Sequence, residues 1–463
     1  MIELEGMFET DWLASVPVFY NENTCKISHN INDVIDYNNI ELDPEGLCNY
    51  LDFGYSVFGQ TPVKGVKFLN HSSRISIQNS TIIVEKKDDI AERFLSNYTS
   101  SSPKDVLELI HSEINDKVRK CSGDIIVPIS GGYDSRLIVS FIEDKKRVRA
   151  YTYGLSPDQS KSSETVYAKY ICEKLGIRWK QVELGEYNKN LDFWISEFGV
   201  SACANGNYQT EFLEAISKET FNKENSLYIS GIIGDAWAGS IKRFNVDFTP
   251  QNIYKLGYTH GMRVDSDFCK LKKNNEHSLA YNFIKDNEGK IDDERWQIIL
   301  AMRLKMVLLS FLIKLPTIYG INSVYSPFLN EEIALKMLTL ESQYRNNRLW
   351  QKEYFEKRGL MPENEGFRVQ RVNTLHYQAL KKIKLEPLNK ALLGEYMDEK
   401  YLDWVNENFH KDFSNSFYER LLHTYSGHAV LKLLRMDDEG HSLRPYSAYL
   451  VLRPLQKLLE LRR

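Results

Sequence analysis

Six consecutive residues, Ser130-Gly131-Gly132-Tyr133-Asp134-Ser135, are of types suited to holding an anion. Glycine lets backbone N–H groups approach a ligand with no Cβ in the way. The residues before them, Ile125-Ile126-Val127, read as a short buried strand, and residues 137–142 begin a helix. A helix N-terminus carries roughly half a positive charge, which adds attraction for phosphate. Asp134 would repel phosphate unless a cation lay between them. A second stretch, "SGIIGDAWAGS" at residues 230–240, offers a comparable arrangement: Ser230-Gly231 at a strand end, then Asp235. Two acids from two loops suggest Mg2+ with oxygen ligands, bridging to phosphate. Taken alone, SGGYDS is about as well explained by a glycine turn with a capping aspartate. Its place after a buried strand, and its partner on a second strand, favour a binding loop. It is not a Walker A loop, since no Gly-Lys-Ser/Thr follows, and no G-x-G-x-x-G fingerprint is present.

The elements around these loops alternate. Residues 148–154 read as a second strand, 164–175 as a helix closed by Gly176, 179–184 as a third strand, and 227–231 as another. Strand, helix, strand, helix, strand predicts an α/β fold: a parallel sheet with helices on both faces. After about residue 245 the chain reads as mostly helical. Before about residue 88 it reads as β-rich, with segments at 16–20, 67–69 and 73–84 bounded by turn residues. Inside that part, residues 42–54 predict a helix with Asp43 as cap, Pro44 in the first turn and Gly54 at the end. Residues 101–120 predict a longer helix with Val106, Leu107, Ile110 and Ile114 on one face. Residues 450–463 predict an amphipathic terminal helix, with a membrane or partner role as the minor alternative.

Composition limits the function classes. The chain has 463 residues, 59 Lys plus Arg against 63 Asp plus Glu, and a net charge of −4. No clustered basic excess announces nucleic acid. No apolar run approaches the ~20 residues that span a bilayer. The start, Met1-Ile2-Glu3-Leu4-Glu5, has no signal-peptide character. Six scattered cysteines without a CxxC pair read as reduced, so a cytoplasmic location is expected. His423 and His428 lie five apart without a metalloprotease glutamate and read as ordinary histidines.

The loop at 130–135 resembles the pyrophosphatase loop of the asparagine synthetase family, in which ATP is cleaved between its α- and β-phosphates. Five further stretches resemble that family in the same order: "TDWLASVPVFY" from Thr10, "LDPEGLCNYLDFGYSVFGQTPVKGVKFL" from Leu42, "ETVYAKYICEKLGI" from Glu164, "SGIIGDAWAGS" from Ser230, and "GINSVYSPFLNEEI" from Gly320. The resemblance implies an adenine nucleotide alpha hydrolase-like synthetase domain at 89–463. It implies a truncated, β-rich remnant of an Ntn-type glutaminase domain at 1–88. Carried over by position, ATP would meet Pro128, Ser130, Gly131, Gly132, Tyr133, Asp134, Ser135, Tyr153, Gly154, Ser230 and Gly231. Asp134 and Asp235 would hold Mg2+. Arg368 and Arg371 are candidates to neutralise pyrophosphate, with a solvated basic face as the equal alternative.

The departures bear on the second half-reaction. Ile2 follows Met1 where the family has its nucleophilic cysteine, so glutamine hydrolysis is not expected. The family's glutamate after Ser-Gly is Ile232 here, and the one after Asp is Ala236. Aspartate is therefore not the expected acceptor. The resemblance implies an ATP-dependent amide-forming ligase that adenylates a small-molecule, glycan or peptide carboxylate. The nitrogen would come from ammonia or an amine, including ammonia supplied by a separate glutaminase. The base for amidation is not named by the sequence. No nucleic acid or membrane partner is expected, and a homo-oligomer is compatible. The alternatives are a pyrophosphatase-loop tRNA thiolase and a non-catalytic ATP-binding relative.

Overall fold

The computed structural model describes residues 7–240, 247–257, 263–271, 278–411 and 444–462. The chain start at residues 1–5, His423, His428 and Arg463 lie outside the described residues.

Eleven strands are present among the described residues: β1 Met7–Glu9, β2 Phe19–Asn21, β3 Ile27–Ser28, β4 Val66–Phe68, β5 Ser73–Gln78, β6 Thr81–Lys86, β7 Ile125–Pro128, β8 Val148–Thr152, β9 Arg178–Gln181, β10 Leu227–Ile229 and β11 Ser323–Tyr325. The last five form one sheet in the order β11-β10-β7-β8-β9, and every pairing in it is parallel. The central β7 and β10 are buried along most of their length, as their apolar runs require. The edge strand β9 instead alternates exposed and half-buried residues. Nothing in the sequence marks β11, whose three residues carry no period of their own.

The connections decide where a ligand belongs. From β7 the chain goes to β8 and β9 on one side, and later returns to β10 and β11 on the other. This reversal is a topological switch point, and crevices at such points lie beyond the carboxyl ends of the strands. The loop 129–132 and the loop after β10 both emerge there.

The N-terminal part forms two small antiparallel sheets, β1-β5-β6 and β3-β2-β4. The segment 73–84, read above as one strand, is a hairpin. Asn79 and Ser80 both have positive φ (49° and 58°), which reverses the chain between β5 and β6. The helix Pro44–Phe53 forms as expected: the Asp43 side chain caps Gly46 N–H, and Gly54 closes it at φ 78°.

Val18, Leu69 and Ile75 form a small apolar cluster between the two N-terminal sheets, but most of the buried apolar residues of this part join the main core. One apolar cluster runs from Trp12, Leu47, Tyr50 and Phe53 through Ile126 and Val127 of the large sheet to Val451 and Leu455. Hydrogen bonds cross with it: Tyr50 Oη donates to Val451 O (2.8 Å), Val264 N to Leu51 O (2.8 Å), and Trp12 Nε1 to Leu329 O (2.9 Å). Arg303 grips Asp89 through two bonds of 2.7 and 2.8 Å and donates to Trp12 O at 2.9 Å. The terminal helix, Arg444–Glu460, is buried on nearly every face between 445 and 459. It is a core helix and not an amphipathic surface one, because its apolar residues extend all the way round. Among the described residues, no helix is long and apolar enough to cross a membrane.

Candidate active site

The loop 129–132 joins β7 to the helix Tyr133–Phe141. Its N-cap is Gly132, with no side chain to bond the first-turn amides. Those amides are left for a ligand or water. Gly131 has φ 72°, and a Cβ there would lie 2.5 Å from Tyr167 Cβ. Only glycine fits both the backbone and the space.

Arg136 sets this loop. Its guanidinium is fully buried and bonds Gly131 O (2.7 Å), Leu360 O (2.9 Å) and both carboxylate oxygens of Glu363 (2.5 and 3.1 Å). It also lies against the Tyr133 and Phe355 rings. Removing it would leave two carbonyls inside the protein without a donor, while the exposed Glu363 would turn to water. Arg136→Ala is therefore expected to cost about 1–3 kcal/mol in urea unfolding. A loss below ~1 kcal/mol would show that the pair is replaced by water. The sequence does carry a signal for Arg136: it is a lone charge beside the apolar run Leu137-Ile138-Val139.

The second loop follows β10. Ser230 N donates to Tyr325 O (3.0 Å), and the chain turns at Ile233 into the short helix Gly234–Ala238. The two loops touch. A Cβ on Gly231 would lie 3.0 Å from Asp134 Cβ, and one on Gly234 would lie 2.7 Å from Asp134 Cγ. Small residues here let the acid-bearing helix and β10 come together.

Between them opens a cavity of about 710 Å3. Of the residues that the resemblance assigned to ATP, Pro128, Ser130, Gly131, Gly132, Tyr133, Asp134, Ser135, Tyr153, Ser230 and Gly231 all line it. Four expected residues do not. Gly154 packs underneath, where a Cβ would lie 2.3 Å from Gln159 O, so its role is to let the 155–162 loop close. Asp235 is exposed and outside the lining, although its charge reaches Asp134. Arg368 is exposed and off the cavity wall. Arg371 is also exposed; it bonds Tyr167 Oη (3.1 Å), a wall residue, from outside.

Arg348 occupies a position that the sequence does not announce. It sits in a left-handed turn, with Asn347 at φ 53° and Arg348 at φ 56°. Its Nη1 stands 3.7 Å from Asp134 Oδ1, and its guanidinium lies over the Tyr133 ring. Strained backbone of this kind is often found at functional sites. Glu164 and Glu363 also line the wall.

Asp134 is held up to about 7, first by burial and then by the charge of Asp235, with Arg348 opposing. Its Oδ1 is buried and accepts no hydrogen bond, and neither does the buried Ser230 Oγ. Lys305, nearly buried, is brought down to about 8 by burial against the pull of Asp235. On the β8 side, Tyr153 is bonded by Gln209 Nε2 (2.8 Å) and packs on Phe212 with ring centroids 5.0 Å apart. A pocket with an apolar aromatic end, an amide cradle and a buried acid can hold a nucleotide across a switch point.

Residues 116–188 match the asparagine synthase family model. The matched span runs from the helix Pro103–Lys120 through β7, the loop at 130–135, β8 and β9. At family level, this asparagine synthase match supports an ATP-dependent amide-forming ligase. A comparison with curated protein sequences returns no match. Among solved structures, the chain is similar to an NH3-dependent NAD synthetase from Campylobacter jejuni (18% identity, 40% of this chain and 76% of that one, TM-score 0.21). It is also similar to an NMN synthetase from Francisella tularensis (14%, 56% and 96%, TM-score 0.22). A third is a U34-tRNA thiolase from Methanococcus maripaludis (16%, 61% and 89%, TM-score 0.24). At these TM-scores the superpositions carry no argument about function.

Proposed function

We infer that this chain adenylates a carboxylate with ATP and then transfers the acyl group to ammonia or an amine. The observation that carries the reading is the glycine loop at 130–132 running into a helix whose first-turn amides have no side-chain cap, with the buried, hydrogen-bond-free Asp134 Oδ1 in that same turn. A carboxylate oxygen attacks the α-phosphorus of ATP. An O–P bond forms, the bond to the bridging oxygen breaks, and its electron pair leaves with pyrophosphate. The amine lone pair then attacks the acyl carbon, AMP departs with the C–O electron pair, and the amine proton is released.

The loop amides and the helix N-terminus hold phosphate oxygens where charge builds, so little reorganisation is needed during reaction. Arg348 adds a fixed positive charge beside the same oxygens. Asp134 fits a metal ligand, because a buried carboxyl oxygen without a donor is satisfied by a cation. Asp235 would add its charge from the solvent side. Mg2+, typically held by one or two carboxylates plus phosphate and water, would neutralise the departing pyrophosphate. Among the described residues, no group of three acids, histidines or cysteines forms a cage. Two protein carboxylates with substrate oxygens need none.

The nitrogen is proposed to arrive as ammonia or an amine, from solution or from a separate glutaminase. No cysteine lines the cavity, and burial raises the Cys172 and Cys203 thiols to about 12 and 11, which speaks against thiolate chemistry at those two residues. The test is AMP and pyrophosphate release from ATP over a panel of carboxylates, with and without ammonium. The two products are expected in equal amounts and only with an acceptor present. Release of ADP and phosphate instead would overturn the reading.

A further inference from the structure

With phosphates over the end of β7 and the nucleoside walls after β8, the β10 side of the cavity remains for the acceptor. That side is apolar. Ile232 and Ile233 come from the loop after β10, and Leu312 from the helix Phe311–Ile318. Several polar groups elsewhere on the wall already have partners, whereas the Ser230 Oγ at the end of β10 has none. Gln209 bonds Tyr153, Glu164 accepts from Ser162, Glu363 holds Arg136, and Arg348 pairs with Asp134.

Ile233 is the informative residue. Its backbone lies at φ 54° and ψ 11°, in the left-handed region. A β-branched residue is a genuine outlier there, and glycine would adopt the same angles without strain. The next residue, Gly234, is a glycine for want of room beside Asp134. The chain thus uses glycine where space demands it and keeps a strained isoleucine one position earlier. What that side chain provides is cavity wall.

We propose that this wall is the acceptor subsite and selects a monocarboxylate whose body beyond the carboxyl is aliphatic or aromatic. The proposal rests on the adenylation reading above. An amino dicarboxylate or a sugar acid would press charges or hydroxyls against Ile232, Ile233 and Leu312 and lose their water without gaining partners.

The experiment is ATP–pyrophosphate exchange on the full chain with phenylacetate and hexanoate against aspartate, glutamate and glucuronate. Exchange with the apolar acids is expected to be at least about tenfold faster at equal concentration. Ile233→Gly keeps a permitted backbone, and it should raise KM for the apolar acid by about tenfold or more. Leu312→Ser is the second variant and should do the same. Equilibrium dialysis with ATP checks that each variant is folded. Exchange strongest with aspartate or glucuronate, or an unchanged KM in both variants, would overturn the apolar subsite and leave adenylation standing. ATP binding without exchange for any acid would overturn both.

Discussion

Asp134→Asn is expected to slow pyrophosphate release at least ~100-fold at saturating Mg2+, the scale of losing one preorganised charge interaction at a reacting phosphate. The fold should survive. The carboxyl is buried and held up to about 7, so the native state already resists its charged form. A neutral amide of the same shape removes that conflict. The melting temperature should stay level or rise. Asp235→Asn provides the contrast. Asp235 is exposed and outside the cavity lining, so its loss is expected to cost nearer ~10-fold, the lower range for an outer partner of a metal site. Single-turnover pyrophosphate release for both variants, with circular dichroism melts, makes the comparison. Wild-type rates in Asp134→Asn would remove this acid from the machinery.

A chain shortened to begin at residue 89 is expected to be insoluble and inactive. The N-terminal part supplies Trp12, Leu47, Tyr50, Phe53 and Tyr55 to the common core. Tyr55 Oη donates to Gly257 O (2.9 Å), and Cys203 N donates to Gly54 O (2.8 Å). Trp12 also packs on Trp237, with ring centroids 5.5 Å apart, and Trp237 belongs to the helix that carries Asp235. Deletion would bare these partners and leave the buried Arg303 without the Trp12 carbonyl. Even Trp12→Ala alone should cost about 3–5 kcal/mol. Expression of the shortened chain, followed by sedimentation and an ATP–pyrophosphate exchange assay, is the check. A soluble product with full exchange would show that the N-terminal part is dispensable.

Some of this could be read from neighbours along the chain. An apolar run into Ser-Gly-Gly and then a helix is a local pattern, and residues 130–135 occupy the place it predicts. Strand and helix alternation over 125–231 implied the parallel sheet, because a crossover helix must cover each face. Pro44 and Gly54 likewise marked the ends of their helix by their own backbone limits.

Other features depend on residues far apart in sequence, and no local period encodes them. Arg348 meets Asp134, and Glu363 meets Arg136, only after folding. Arg368 and Arg371 are basic residues placed late in the chain, as the family resemblance led one to expect, but the fold leaves both exposed. The raised Asp134 is a property of its burial, which residue type cannot state. The left-handed Ile233 has no signal at all, since isoleucine favours the opposite backbone. Only the packed loops around Asp134 reveal that the chain holds an apolar wall there against its local preference.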